Sequence, residues 1–145
     1  VENKFDIHLL SERLSDAYTW SREMELIKSI PVGIFGASTG AAAAIELAGD
    51  SFLSNRDDLY AVVLRGGRTD LANITSFEFV KAATLLIVGE HDGLVLEHNK
   101  DAYQYLHCKK RLEVIPEATH LFEQPGALEE VSMASIKWFR ENLPH

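Results

Sequence analysis

The chain has 145 residues, 46% hydrophobic and 25% charged, an ordinary globular composition with enough length for one domain and a core of its own. Its formal charge of −8 disfavours nucleic acid or an anionic membrane as the main partner. One cysteine, Cys108, excludes an intrachain disulfide and fits a reducing compartment.

No apolar run approaches the length of a membrane span, and the N-terminus has no basic region followed by an apolar one. A soluble, cytoplasmic protein is expected. Residues 5–18 place Ile7, Leu10, Leu14, Ala17 and Tyr18 at helical spacing, with Asp6 as N-cap and Glu12 and Arg13 on the wet face. Residues 19–30 continue as helix or loop up to Pro31. Residues 32–35 form a first strand that ends at Gly36, and Gly36-Ala37-Ser38-Thr39-Gly40 follows. Residues 39–48 are alanine-rich and helical, with Gly49 as the stop.

Strand, G-x-S-x-G and helix in that order make a nucleophile elbow. The chain reverses at Ser38, which leaves its backbone strained and its hydroxyl above the strand end. Gly36 and Gly40 are expected where side chains would collide across so tight a turn. The helix start also points backbone N–H groups at developing negative charge.

Residues 51–59 are polar and loop-like. Residues 60–64 (YAVVL) are a second buried strand, running into Arg65-Gly66-Gly67-Arg68. Residues 84–88 (TLLIV) are a third, ending at Gly89-Glu90-His91-Asp92. Residues 96–106 read as a helix with a mixed face, and residues 111–115 as a fourth strand. A last helix covers about residues 127–142, with Pro125 suited to its first turn and Glu129 and Glu130 favourable to the dipole. Leu128, Val131, Ser135, Trp138 and Phe139 make its inward face. Short β-branched runs alternating with helices imply an α/β domain: a mostly parallel sheet of about four strands, helices on both faces, one unit over residues 1–145. In such sheets ligands bind beyond the carboxyl ends of the strands, where the polar clusters of this chain fall.

A serine nucleophile needs a base within reach, and the base needs a carboxylate to fix its tautomer. After Ser38, the post-strand loops offer Asp92 and then His120. Glu90 is the rival acid, earlier and longer. His91 and His98 lie too near the acid in sequence to bridge to Ser38, and with Asp92 they have no recognised metal spacing. Neither a metal nor a cofactor is called for. Cys108, late in a helix, reads as a small core residue. The glycines of Arg65-Gly66-Gly67-Arg68 let backbone approach a ligand, and the two guanidiniums suit a carboxylate or phosphate. The alternative is that the arginines pair with Asp70 or Glu123 to brace the rim. Leu121 and Phe122, beside the candidate base, are further candidates for the substrate pocket.

The segments FGASTGAAAA (35–44), AVVLRGGRTDLA (61–72), TLLIVGEHD (84–92) and ATHLFEQPGALEEV (118–131) resemble the dienelactone-hydrolase-like branch of the α/β-hydrolases, including members fused to phosphoribosyltransferase domains. The similarity covers nearly the whole chain and looks like the family's C-terminal portion. It implies Ser38 as nucleophile, Asp92 as acid, His120 as base, and the Thr39 backbone N–H in the oxyanion hole. Dienelactone hydrolases proper carry cysteine at the elbow, so lactone specificity does not transfer to Ser38. The family's usual glycine before A-T-H is Glu117 here, and its proline before the third strand is Ala83. The family's first half supplies further strands and a loop with the second oxyanion N–H. The resemblance therefore implies an open edge beside the elbow strand, completed by another chain, by sequence upstream of Val1, or by a second copy.

The expected function is hydrolysis of a small ester, lactone or thioester through an acyl-enzyme. The competing expectations are a non-catalytic half-hydrolase used for interaction, and an accessory module to a phosphoribosyltransferase.

Overall fold

The computed structural model describes residues 6–145. The helix start expected at residue 5 lies outside them. Asp6 caps the first helix, α1 (Ile7–Glu23), its carboxylate accepting the Leu9 N–H at 3.0 Å. Of residues 19–30, read as helix or loop, the first five continue the helix, and Arg22 buries its guanidinium at the last turn. That side chain donates to the carbonyls of Lys28 and Ile30, which fold the following loop back beneath it.

Four strands follow: β1 (Val32–Ala37), β2 (Leu59–Arg65), β3 (Ala83–Gly89) and β4 (Lys110–Ile115). They form one parallel sheet in the order β1-β2-β3-β4. Parallel neighbours need crossovers, and helices α2 (Thr39–Ala48), α3 (Ile74–Phe79) and α4 (Gly93–Tyr105) belong to these connections. Helix α5 (Ala127–Asn142) closes the chain.

The alternation along β2 divides the core in two. Val62 and Leu64 point to a cluster with Ala41, Ala44 and Ile45 of α2, Phe77 of α3, and Ala102 and Leu106 at the end of α4. Ala61 and Val63 point the other way, to Ile115, Phe122, Val131 and Trp138 beneath α5. The layers are thus helices, sheet, helix. Among the described residues α5 alone covers its side of the sheet, and there Phe35 of β1 remains 49% exposed. Among the described residues, no strand pairs with the outer edge of β1. No helix among them is long and apolar enough to cross a membrane.

Several local expectations change. Pro125 precedes α5 instead of entering it, because Gly126 at φ +82 turns the chain into the helix. Leu128 faces outward at 47% exposure, and Ala127 takes the inward place. Gly49 stops α2 at φ −91, so it is not a left-handed cap; a Cβ there would run into the Ser76 backbone. Cys108 lies between α4 and β4, not in a helix. Burial pushes its thiol up, and its Sγ lies 3.7 Å from Thr84 Oγ1.

Candidate active site

The turn after β1 carries the one backbone strain that bears on chemistry. Ser38 sits at φ 52, ψ −120, between the end of β1 and the first residue of α2. Such a positive φ is costly for a residue with a Cβ. It is held by hydrogen bonds on both sides: Ser38 N–H donates to Arg65 C=O at 3.1 Å, and Ser38 C=O accepts from Arg68 N–H at 3.0 Å. Gly36 is required by close approach, since a Cβ would lie 2.9 Å from Gly40 O and 3.0 Å from Ala41 Cα. Gly40 differs from its expectation, because a Cβ there meets nothing within 4 Å.

The loops after β3 and β4 bring two more side chains to this point. His120 Nε2 lies 3.2 Å from Ser38 Oγ, and His120 Nδ1 lies 2.7 Å from Asp92 Oδ2. Asp92 is the more enclosed, with its side chain 10% exposed against 36% for the imidazole. A carboxylate only accepts, so Nδ1 is assigned the proton and donates to Asp92. Nε2 then presents its lone pair to the serine hydroxyl. The arrangement can take the serine proton and hold the resulting imidazolium beside an anion. Thr39 opens α2, and the first N–H groups of a helix have no acceptor within it.

Gly66 supplies the floor. It sits at φ +52, and a Cβ on it would come within 3.2 Å of His120 Nδ1 and 3.7 Å of Asp92 Oδ2. Its absent side chain makes room for the imidazole and the carboxylate. A glycine pair after a strand was the signal for close approach; that the approaching group is the protein's own histidine was not readable. Gly67 is equally closed, a Cβ there falling 2.8 Å from Ala41 Cβ.

The remaining candidates are distributed elsewhere. Arg68 makes a two-pronged pair with Asp70, Nε–Oδ1 and Nη2–Oδ2 both 2.9 Å. The hydrogen bond from Arg68 holds the Asp70 carboxyl below the usual carboxylate range. This is the rim-bracing alternative for Arg68. Arg65 lies over the Phe122 ring at 5.6 Å, and its buried Nε has no hydrogen-bond partner. Phe122 is 1% exposed in the α5-side core at φ 55, so its ring secures the His120 loop and is withdrawn from substrate. Leu121 is exposed beside it. Glu90 turns to the next loop and accepts the Glu117 N–H. His91 lies 3.9 Å from Glu90, and His98 lies 4.0 Å from Asp70.

The chain is 45% identical to a dienelactone hydrolase from Anabaena variabilis, superposing with a TM-score of 0.89 over 97% of this chain and 62% of that one. This is an α/β-hydrolase fold, and the chain is similar to that dienelactone hydrolase over nearly its whole length. A monoacylglycerol lipase from Paleococcus ferrophilus shares the hydrolase fold at 18% identity, with a TM-score of 0.72 over 91% of this chain and 76% of that one. In Mycobacterium tuberculosis, a protein named "Putative phosphoribosyl transferase" is 49% identical over 97% of this chain. This chain spans 31% of that relative's length. No family model matches. Glu117 takes φ 61, a conformation that glycine adopts without strain, at the position where the resemblance places glycine.

Proposed function

We propose that this domain is a serine hydrolase of small carboxylic esters, lactones or thioesters. The observation that carries the reading is the continuous contact from Ser38 Oγ through His120 to Asp92, at 3.2 and 2.7 Å. Ser38 Oγ attacks the substrate carbonyl carbon while its proton passes to His120 Nε2. The carbonyl oxygen becomes an anion facing the Thr39 N–H. Collapse of that intermediate expels the alcohol or thiol, which takes the proton from His120. Water, deprotonated by His120, then attacks the acyl-serine and releases the acid. Asp92 holds the imidazole orientation and stabilises its charge in both halves.

A hydrolase oxyanion hole uses two donors, and removal of one costs about 10²–10³ in rate. Thr39 accounts for one. In this reading the second comes with a strand that pairs along the free edge of β1, beside exposed Phe35, from upstream sequence of the same protein, a second copy or a further chain. The partner of the chemistry in this reading is a small-molecule ester or lactone.

A fluorophosphonate probe tests the proposal. It should label Ser38 in the folded protein, and Ser38→Ala should abolish labelling. A wild-type protein that is folded and stays unlabelled, alone and with any co-purifying chain, would overturn it. A second reading is an accessory role beside a phosphoribosyl transferase, favoured by the name and greater length of the Mycobacterium relative. It predicts that Ser38→Ala leaves the function of the larger protein intact.

A further inference from the structure

We infer that Asn99 is a positioning residue for the Ser38–His120–Asp92 contacts, tying the helix that follows Asp92 to the loop that braces Ser38. The inference rests on the hydrolase reading above. Asn99 is fully buried in α4 at 0% exposure. Its neighbours on the same helical face, Ala102 and Leu106, are apolar and buried. Asn99 is the polar exception, which is why that face reads as mixed in sequence.

Both amide protons are committed. Nδ2 donates to Gly67 C=O at 2.9 Å and to Val95 C=O at 2.8 Å. Asp92 caps α4, and its carbonyl accepts the Leu96 N–H at 3.0 Å, so the first turn moves with the carboxylate. On the other side, Gly67 stands between Gly66, the floor of His120, and Arg68, whose N–H holds Ser38 C=O at 3.0 Å. Gly66 N–H makes the last contact to β3, donating to Ile87 C=O at 2.7 Å; residues 67 and 68 lie beyond the ladder, so sheet pairing does not fix the Gly67 C=O. One buried amide therefore joins the acid's helix to the strip of backbone under the histidine and behind the serine.

Buried hydrogen bonds of this kind are worth making only in one geometry, because moving either element leaves a polar group unpaired. Asn99 Oδ1 and Thr69 Oγ1 are already buried without partners. An apolar side chain would fill the space but leave the buried Gly67 C=O without its Asn99 donor, and it would let α4 slide against the 66–68 loop. Displacements near 1 Å at reacting groups cost about 10²-fold in rate.

The test compares wild type with Asn99→Leu, close in volume, Asn99→Ser, which keeps one donor, and Lys100→Ala on the exposed face as control. With p-nitrophenyl acetate, Asn99→Leu should lower kcat at least about tenfold and leave KM within about twofold. Asn99→Ser should recover part of the loss, and Lys100→Ala should lose nothing. The His120 Nδ1 proton, followed by NMR, should shift or broaden in Asn99→Leu. A folded Asn99→Leu with unchanged kcat and an unchanged His120 resonance overturns the inference. If wild type shows no turnover or labelling, the hydrolase reading has failed, and the His120 resonance still decides the role of Asn99. If neither variant folds, exchange of the wild-type Asn99 amide protons decides: slow exchange of both supports the bridge, and fast exchange overturns it.

Discussion

Glu90 and Glu117 meet across the ends of β3 and β4, the Glu90 Oε2 accepting the backbone N–H of Glu117 at 2.8 Å. This contact pins the start of the loop that delivers His120, and it commits Glu90 away from the imidazole. The two acids after β3 thereby differ in role. Asp92 touches His120, and Glu90 holds the backbone that carries it.

A pair of substitutions separates the two roles kinetically. Asp92→Asn keeps the shape but favours the wrong imidazole tautomer, and kcat should fall by about 10³–10⁴. Glu90→Ala removes one loop hydrogen bond; kcat should fall less than about tenfold while stability drops by about 1 kcal/mol. Ester hydrolysis and urea unfolding of both variants measure this. Equal losses of kcat would mean that the acid has been assigned to the wrong residue.

Glu117 itself holds φ 61, a conformation that costs an L-residue about 1–2 kcal/mol. Glycine removes that strain but gives back part of it through a more flexible unfolded chain. Glu117→Gly should therefore stabilise the protein by up to about 1 kcal/mol, read as a higher urea midpoint. The Glu90 hydrogen bond uses the backbone N–H and survives the change. A lower midpoint would show that the side chain contributes more than the strain costs.

Gly66 and Gly40 should respond in opposite directions. Gly66→Ala places a methyl 3.2 Å from His120 Nδ1 at φ +52, so the ring must give way slightly and kcat should fall by about tenfold, short of the roughly 10²-fold loss of a full 1 Å displacement. Gly40→Ala points a methyl into open space within α2, and better helix propensity should add about 0.5–1 kcal/mol. Thermal unfolding and esterase assays on the two variants check both statements.

The contrast marks where sequence reading stops. Strand, tight turn and helix are legible because their signals are local: a short apolar run, two glycines around Ser38, then alanines. The order of Asp92 and His120 after successive strands could also be read, since parallel topology sends every strand end to one side. Distances between loops could not. Gly40 resembles Gly36 in sequence, yet only Gly36 meets backbone. Gly66 looked like a ligand approach and lies beneath His120. Helix α3 escaped notice because its six residues are too few for periodicity, and it is fixed by Phe77 entering the core and by Asn73 capping Thr75 N–H. Spacing alone points Leu128 inward, but the turn at Gly126 sets the helix so that Ala127 takes its place.

Asp70 offers a test by pH. The Arg68 hydrogen bond holds its carboxyl below the usual range, so folding favours the ionised form. The pair's contribution is complete above the unfolded value near 3.9 and disappears as pH falls through the lower, folded value. Asp70→Asn should cost up to about 1 kcal/mol at pH 7. The gap to wild type should begin to close near pH 4 and vanish at more acid pH, where wild type is protonated as well. High salt at pH 7 should narrow it too, because both side chains are partly exposed. Urea unfolding of the two proteins across pH measures the gap; a difference that persists unchanged into acid would assign it to packing and not to charge.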